Sequence, residues 1–372
     1  MNILFLCHKK NLGFGQASLA RAFQRRGITV TCARDDCPLN EDIERILADS
    51  QHRPDLIIEP ELDALLPWGL DKVDIPTACF HADPYAYLHR RVRWAMLFDY
   101  VFLFHPGFEE AFRQVGHSNP VTVPHAVDPE FFTSAAKDRP LDIGWVGRSD
   151  GPRYQTRRRV LERLATMFRM NEWKRFHSQE ELGQVFCASK LVVNVGRDDY
   201  PIDASLHFAE AMAADALFIT LLPSEMTQLG FQEGIHYVGV QSEAEIPEVV
   251  RYYLDHEDER DRIAEAGREK VLREHTYDNR ASFYLTQLEQ RAGRLFAPAR
   301  QWTEGRVRTQ YIDYYAANRV FDCAYAQWRH LATSDLPHAL AGGMLIGRAW
   351  LAELRRKAVS PSRHGGIVAR RA

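Results

Sequence analysis

No aspartate in this chain stands two positions from another aspartate, so the short carboxylate pair that grips a divalent cation is missing. There is also no Gly-x-x-x-x-Gly-Lys phosphate loop and no His-Glu-x-x-His pair. No metal site is therefore expected. The six cysteines at 7, 32, 37, 79, 187 and 323 form no Cys-x-x-Cys pair. Free thiols in apolar surroundings behave as small hydrophobes, which predicts a reducing, cytoplasmic setting. No apolar run reaches the roughly 18 residues of a membrane-spanning helix. The opening MNILFLCHKK turns basic after its apolar stretch, the reverse of a secretory leader, and reads as a first β-strand. A net charge of only −3 excludes a chain-wide affinity for nucleic acid. That charge is unevenly spread, however, at about +7 from Arg300 onward against about −10 before it.

What the 372 residues do contain is alternation. Short apolar runs are predicted as strands at 3–7, 29–33, 55–58, 76–80, 100–104 and 121–123, separated by helical stretches at 17–26, 41–50, 85–98 and 108–115. Each run is continuous rather than alternating, as in strands buried on both faces of a parallel sheet. The pattern pauses in a Pro- and Asp-rich segment at 124–140. It restarts with strands at 142–146, 191–194, 217–220 and 237–240 among helices at 155–165, 179–188, 204–214, 243–254, 257–274 and 277–291. Two such sets predict two doubly wound α/β domains facing a cleft, one over 1–135 and one over 136–295. Residues 296–372 read as a helical extension, with helices at 310–331 and 336–357, and its last fifteen residues are expected to be disordered.

In doubly wound sheets, ligands gather at the carboxyl ends of the strands. Ser205–Thr220 (SLHFAEAMAADALFIT) follows a strand that ends at Asn194, and it places Glu210 on a helix of small apolar residues. Such a carboxylate is suited to sugar hydroxyls. Asp142-Ile-Gly-Trp-Val-Gly-Arg148 is a strand, a glycine turn and an arginine, followed by Arg153 and by Arg157–Arg159 at a helix start. A guanidinium beside helix amides suits a diphosphate, while two of the three arginines at 157–159 are expected on a solvated face. Gly13 and Gly15 open a loop after the first strand, read either as a flexible helix start or as backbone close to a donor phosphate. His81 and Asp83 end the strand at 76–80. Asp83 reads equally as a cap for a helix starting at Pro84. His125 lies in the linker.

These stretches together resemble the two-domain GT-B glycosyltransferases, and within them the group 1-related, spore maturation CgeB-like subset. The likeness rests on 75–84, 99–132, 142–148 and 189–280, which closes in Glu274-His-Thr-Tyr-Asp-Asn-Arg280. It implies a metal-independent glycosyltransferase with no cofactor beyond its nucleotide-sugar donor. The donor would be held by the second domain through Glu210, Arg148, Arg153, Asn194, His207 and His125, with Gly13 and Gly15 nearby. The saccharide, protein or other hydroxyl acceptor would be held by the first domain, with His81 near the transferred sugar and Asp83 or His81 as the base if the reaction inverts. Two positions depart from the pattern. Ile202 stands where retaining members carry a second Glu, and His207 stands where the subset often has Arg. A GT-B-fold sugar-nucleotide epimerase and a non-catalytic scaffold therefore stay open. The basic extension suggests contact with a protein or with the inner face of a membrane, or packing on the protein's own body.

Overall fold

The computed structural model describes residues 1–60, 65–132, 139–290 and 294–359. Its contacts divide the chain into two units. The first comprises 1–13, 24–122 and 291–372; the second comprises 14–23 and 123–290.

The first unit is built on a six-stranded, all-parallel sheet of β1 (Asn2–His8), β2 (Thr29–Ala33), β3 (Leu56–Glu59), β4 (Thr77–His81), β5 (Tyr100–Leu103) and β6 (Pro120–Thr122), in the order β2-β1-β3-β4-β5-β6. The reversal of direction between β1 and β3 is the switch that makes a sheet doubly wound. Strands β3, β4 and β5 are buried at every position, as their unbroken apolar runs predict. Helices α2 (Ile43–Ala48), α3 (Leu88–Trp94) and α4 (Glu109–Gln114) lie between the sheet's strands, whereas α1 (Phe14–Arg25), which follows β1 in the chain, belongs through residues 14–23 to the second unit. Helix α3 starts at Leu88, not at Pro84, because Tyr87 sits in the left-handed region at φ 61° and starts the helix without a side-chain cap. The expected cap by Asp83 is not made.

The second unit carries four parallel strands, β7 (Leu141–Gly144), β8 (Ser189–Asn194), β9 (Leu217–Leu221) and β10 (Val238–Val240), side by side in chain order. A parallel bridge from Met170 to Ile143 extends the sheet beyond β7, so the winding also reverses here. Helices α5 (Gln155–Ala165), α6 (Gln179–Cys187), α7 (His207–Ala213), α8 (Ile246–Asp255), α9 (Glu257–Glu274) and α10 (Tyr277–Gln290) complete the unit. Leu191, Val193, Leu217 and Ile219 face one core with α5 and α8, while Val192 and Phe218 face another with α6 and α7. Local chemistry fixes the helix starts. Ser178 and Glu181 form a reciprocal capping box on α6, and three acids open α9.

The extension is not a loose appendage. Helices α11 (Glu304–Ala317), α12 (Phe321–Ser334) and α13 (Leu336–Val359) pack on one another, and Val307, Tyr311, Ile312, Tyr315, Cys323 and Leu331 are buried in the first sheet's core. The single helix expected over 310–331 is split at Asn318–Val320. Arg319 takes φ 65°, while Val320 N–H bonds Tyr315 O and Arg319 N–H bonds Ala316 O. That is a Schellman stop with Arg where Gly is usual, so composition gave no signal of it. The expected disorder of 358–372 falls almost wholly outside the described residues.

Candidate functional site

The carboxyl end of the second sheet carries Arg148, Asn194, His207 and Glu210 on β8 and on the segments that follow β7 and β8. Trp145–Val146 leave β7, and Gly147 turns at φ 143°; a Cβ there would stand 3.1 Å from the His207 ring. Glycine thus lets the loop carrying Arg148 cross the start of α7. Arg148 and Arg153 are exposed, and Arg153 reaches Asp199 at 3.2 Å. Of the three arginines at 157–159, only Arg157 is buried. It donates to Val195 O and Arg148 O at 2.8 Å each, tying the β7 and β8 loops together. The stretch Gly147-Arg-Ser-Asp-Gly151 also spells Gly-x-Ser-x-Gly. A nucleophile elbow needs a sharp strand-to-helix turn, and here α5 begins only at Gln155.

The amino terminus of α5 is already occupied by an anion. The Asp198 carboxylate accepts from the Gln155 and Thr156 amides at 2.8 and 3.3 Å. That helix start is therefore not open to a phosphate, contrary to the expectation from sequence. The loop after β8 is held rigidly by several contacts. Arg197 clasps Asp199 through two hydrogen bonds, Tyr200 donates to Glu225 at 2.5 Å, and Asp203 caps the Ser205 amide at 2.6 Å. Asn194 donates both amide hydrogens, to Asp203 O and to Thr220 Oγ1, which makes it a support of the loop. Beside this loop lies a cavity of about 650 Å³, lined by Thr156, Gly196, Ile202, Leu222 and Ser242 among others.

Helix α7 delivers two titratable groups. His207 is set edge-on to Trp145 and Phe186, and burial, then Arg157, pushes its pKa down to about 3. It is a neutral imidazole at working pH. Glu210 is 2% exposed; burial pushes its pKa up to about 7, against a 3.3 Å hydrogen bond from Gln179 to Oε1. Oε2 is buried and has no hydrogen-bond partner among the described residues. An unmatched buried carboxylate oxygen is costly, and a ligand hydroxyl would satisfy it. Tyr277 stands within electrostatic reach of this carboxylate. A Cβ on Gly15 would lie 2.7 Å from the Tyr277 hydroxyl, so the α1 backbone passes where only glycine fits. Gln179 and Tyr277 escaped the sequence reading, since their distance from Glu210 along the chain hides the contact. His125 contributes its backbone carbonyl to Arg280, which also binds Pro124 O and Glu274 O.

In the first unit, His81 ends β4, buried, with Nδ1 3.3 Å from Arg91 and Nε2 3.8 Å from the Cys79 sulfur. Desolvation, then Arg91 and His117, hold it neutral. Asp83 is half-exposed, accepts from Tyr85 at 3.1 Å and lies 4.0 Å from His105 Nε2. His105 was not singled out from sequence, although it is the first ionisable residue after the β5 run. Gly13 lies in the same unit, at the end of the β1 segment. Next to His81, a hollow of about 420 Å³ is lined by Glu59, Tyr87, Arg90, Arg91, Tyr314 and Arg319, among others. Arg90 holds Ala317 O at 3.0 Å and covers the Tyr87 ring, and neither partner carries negative charge.

Residues 129–286 match a family described as glycosyl transferase-like. No curated protein sequence matches this chain. Among solved structures it is similar to Anabaena Alr3699/HepE in complex with UDP and glucose, with 12% identity and TM-score 0.55 over 78% of this chain and 100% of that one. It is also similar to a sucrose-phosphate synthase from Thermosynechococcus elongatus (13%, TM-score 0.53, 78% and 98%) and to a Rickettsia africae glycosyltransferase (9%, 0.53, 78% and 98%). The chain thus has the GT-B fold, with a glycosyl transferase-like segment inside its second unit and a helical extension at its carboxyl end.

Proposed function

We propose that this protein is a glycosyltransferase that moves a hexose from a nucleoside diphosphate sugar to a hydroxyl acceptor without a metal ion. The observation that carries the reading is Glu210: a buried carboxylate with one unmatched oxygen, at the ligand end of a parallel sheet, inside a glycosyl transferase-like segment. The donor's hydroxyls satisfy that oxygen, and the neutral His207 beside it can donate or accept. Arg148 and Arg153 face the charge that develops on the leaving diphosphate, the role a cation would otherwise fill. The rigid cavity beside the β8 loop receives the nucleoside. The Anabaena neighbour was solved with UDP and glucose, which makes UDP the first nucleotide to test.

The acceptor belongs to the first unit, with Asp83 as the base and His81 beside the transferred sugar. Arg90 and Arg91, against the single acid Glu59 in the lining of the adjoining hollow, favour an acceptor that carries a phosphate or carboxylate. The narrower kinship to the CgeB-like subset rests on the order and spacing of the motifs alone. The test is incubation with a panel of UDP-sugars, with nucleotide and sugar products separated chromatographically. Slow release of UDP and free sugar by the wild type, lost in Glu210→Gln, is expected. An epimerised UDP-sugar with no UDP released would instead identify an epimerase, and binding without turnover a scaffold.

A further inference from the structure

Helix α13 is apolar on two faces, and only one of them is used by the fold. Gly342, Leu345, Ile346 and Ala349 face inward; a Cβ on Gly342 would lie 2.7 Å from Ile312, and the other three pack on the first unit's core. On the other side, Leu336, Leu340, Met344, Trp350, Leu351 and Leu354 are each 43–66% exposed. At about 100° per residue these six fall within one stripe about 120° wide. Gly347, inside the stripe, has open space over it, while Gly343, towards the Trp350 edge, lies against the Trp328 ring. Six large apolar side chains in one exposed band along a 24-residue helix are more than a soluble surface carries without purpose.

The edges of the stripe identify the occupant. Arg348 and Arg355 border it on the Met344–Leu351 side and are exposed. The one acid of the helix, Glu353, lies on the inward side and pairs with Arg319 and Arg356. From Lys357 the sequence continues with Arg363, Arg370 and Arg371 and no acid. A second copy of this chain would bring arginines against arginines. An anionic bilayer supplies both the apolar depth and the opposite charge. No helix among the described residues is long and apolar enough to cross a membrane, so the contact is with the surface.

We propose that α13 lies in the headgroup plane of an anionic membrane, with its Leu/Met/Trp stripe in the acyl boundary and its arginines on lipid phosphates. The docking residues all belong to the first unit, whereas Glu210 belongs to the second. The test is co-sedimentation of the full chain with vesicles of phosphatidylcholine alone or with about one-quarter phosphatidylglycerol. Binding to the anionic vesicles alone is expected, weakened by salt. A Leu340→Glu/Leu351→Glu variant should lose it, and Arg348→Glu/Arg355→Glu should weaken it roughly tenfold or more. Both pairs are exposed, so melting temperature and UDP binding should match wild type, which keeps this result separate from the donor-site reading. Equal binding by the Leu variant, or no binding by wild type, overturns the proposal. So does a wild-type dimer in light scattering that the Leu variant disperses, which would give the stripe to a second copy.

Discussion

At the scale of single residues, Glu210 makes the sharpest forecast because it couples stability to binding in opposite directions. Its folded pKa of about 7 lies above the ordinary 4.5. The folded protein therefore holds a proton that the unfolded chain releases between those values, and the unliganded fold loses stability as pH rises through that window. The loss amounts to roughly 3 kcal/mol at most. Glu210→Gln should abolish this slope and melt higher than wild type at pH 8, as thermal unfolding across pH would register. The same variant should bind UDP-sugar about tenfold or more weakly by calorimetry, since a charge-assisted hydrogen bond is lost. Unchanged affinity would make Glu210 a structural residue. Arg148→Ala, being exposed, should leave stability intact and weaken UDP far more than uridine. An equal loss for both would place Arg148 away from the diphosphate. Asp83 does not cap a helix, so Asp83→Asn should lower kcat with little change in donor affinity or melting temperature.

At the scale of elements, α11 is the piece whose weight the sequence concealed. Tyr311 and Tyr315 are fully buried, Tyr315 donates to Leu66 O at 2.5 Å, and Tyr314 stacks on Trp94 with ring centroids 3.7 Å apart. Their i, i+3 and i, i+4 spacing puts them on one side of a helix. Its partner, the first sheet, lies more than two hundred residues away along the chain. Asp99 completes the attachment by accepting from Arg300 and from the Phe296, Ala297 and Thr77 amides. Burial raises its pKa, but the Arg300 bonds outweigh this and leave it below the ordinary value. Tyr311→Ala should cost about 3–5 kcal/mol in denaturant unfolding, as for other large buried aromatics. Ending the chain at Ala297 should give insoluble protein rather than a trimmed enzyme. A soluble, cooperatively folded 1–297 fragment would show that the extension is dispensable.

At the scale of the whole molecule, the proposed reaction has guanidiniums rather than a metal ion meet the diphosphate charge. Turnover should therefore persist in EDTA; inhibition reversed by added metal would contradict this. The sequence by itself determined most strands and helices of both sheets, because continuous apolar runs between amphipathic stretches leave few other ways to bury them. It also determined that Arg148 follows β7 in a loop and that Glu210 lies on the helix between β8 and β9, since the order of the apolar runs puts them there. Only the tertiary structure decided that Asp198 fills the α5 amino terminus, that Asn194 supports a loop, and that one Glu210 oxygen is left unmatched. It alone decided, too, that the extension builds the first unit's core while turning a second apolar face outward. Those outcomes depend on which side chains distant in sequence arrive first at a given amide, ring or carbonyl. Local periodicity, which fixes the elements, carries no record of that competition.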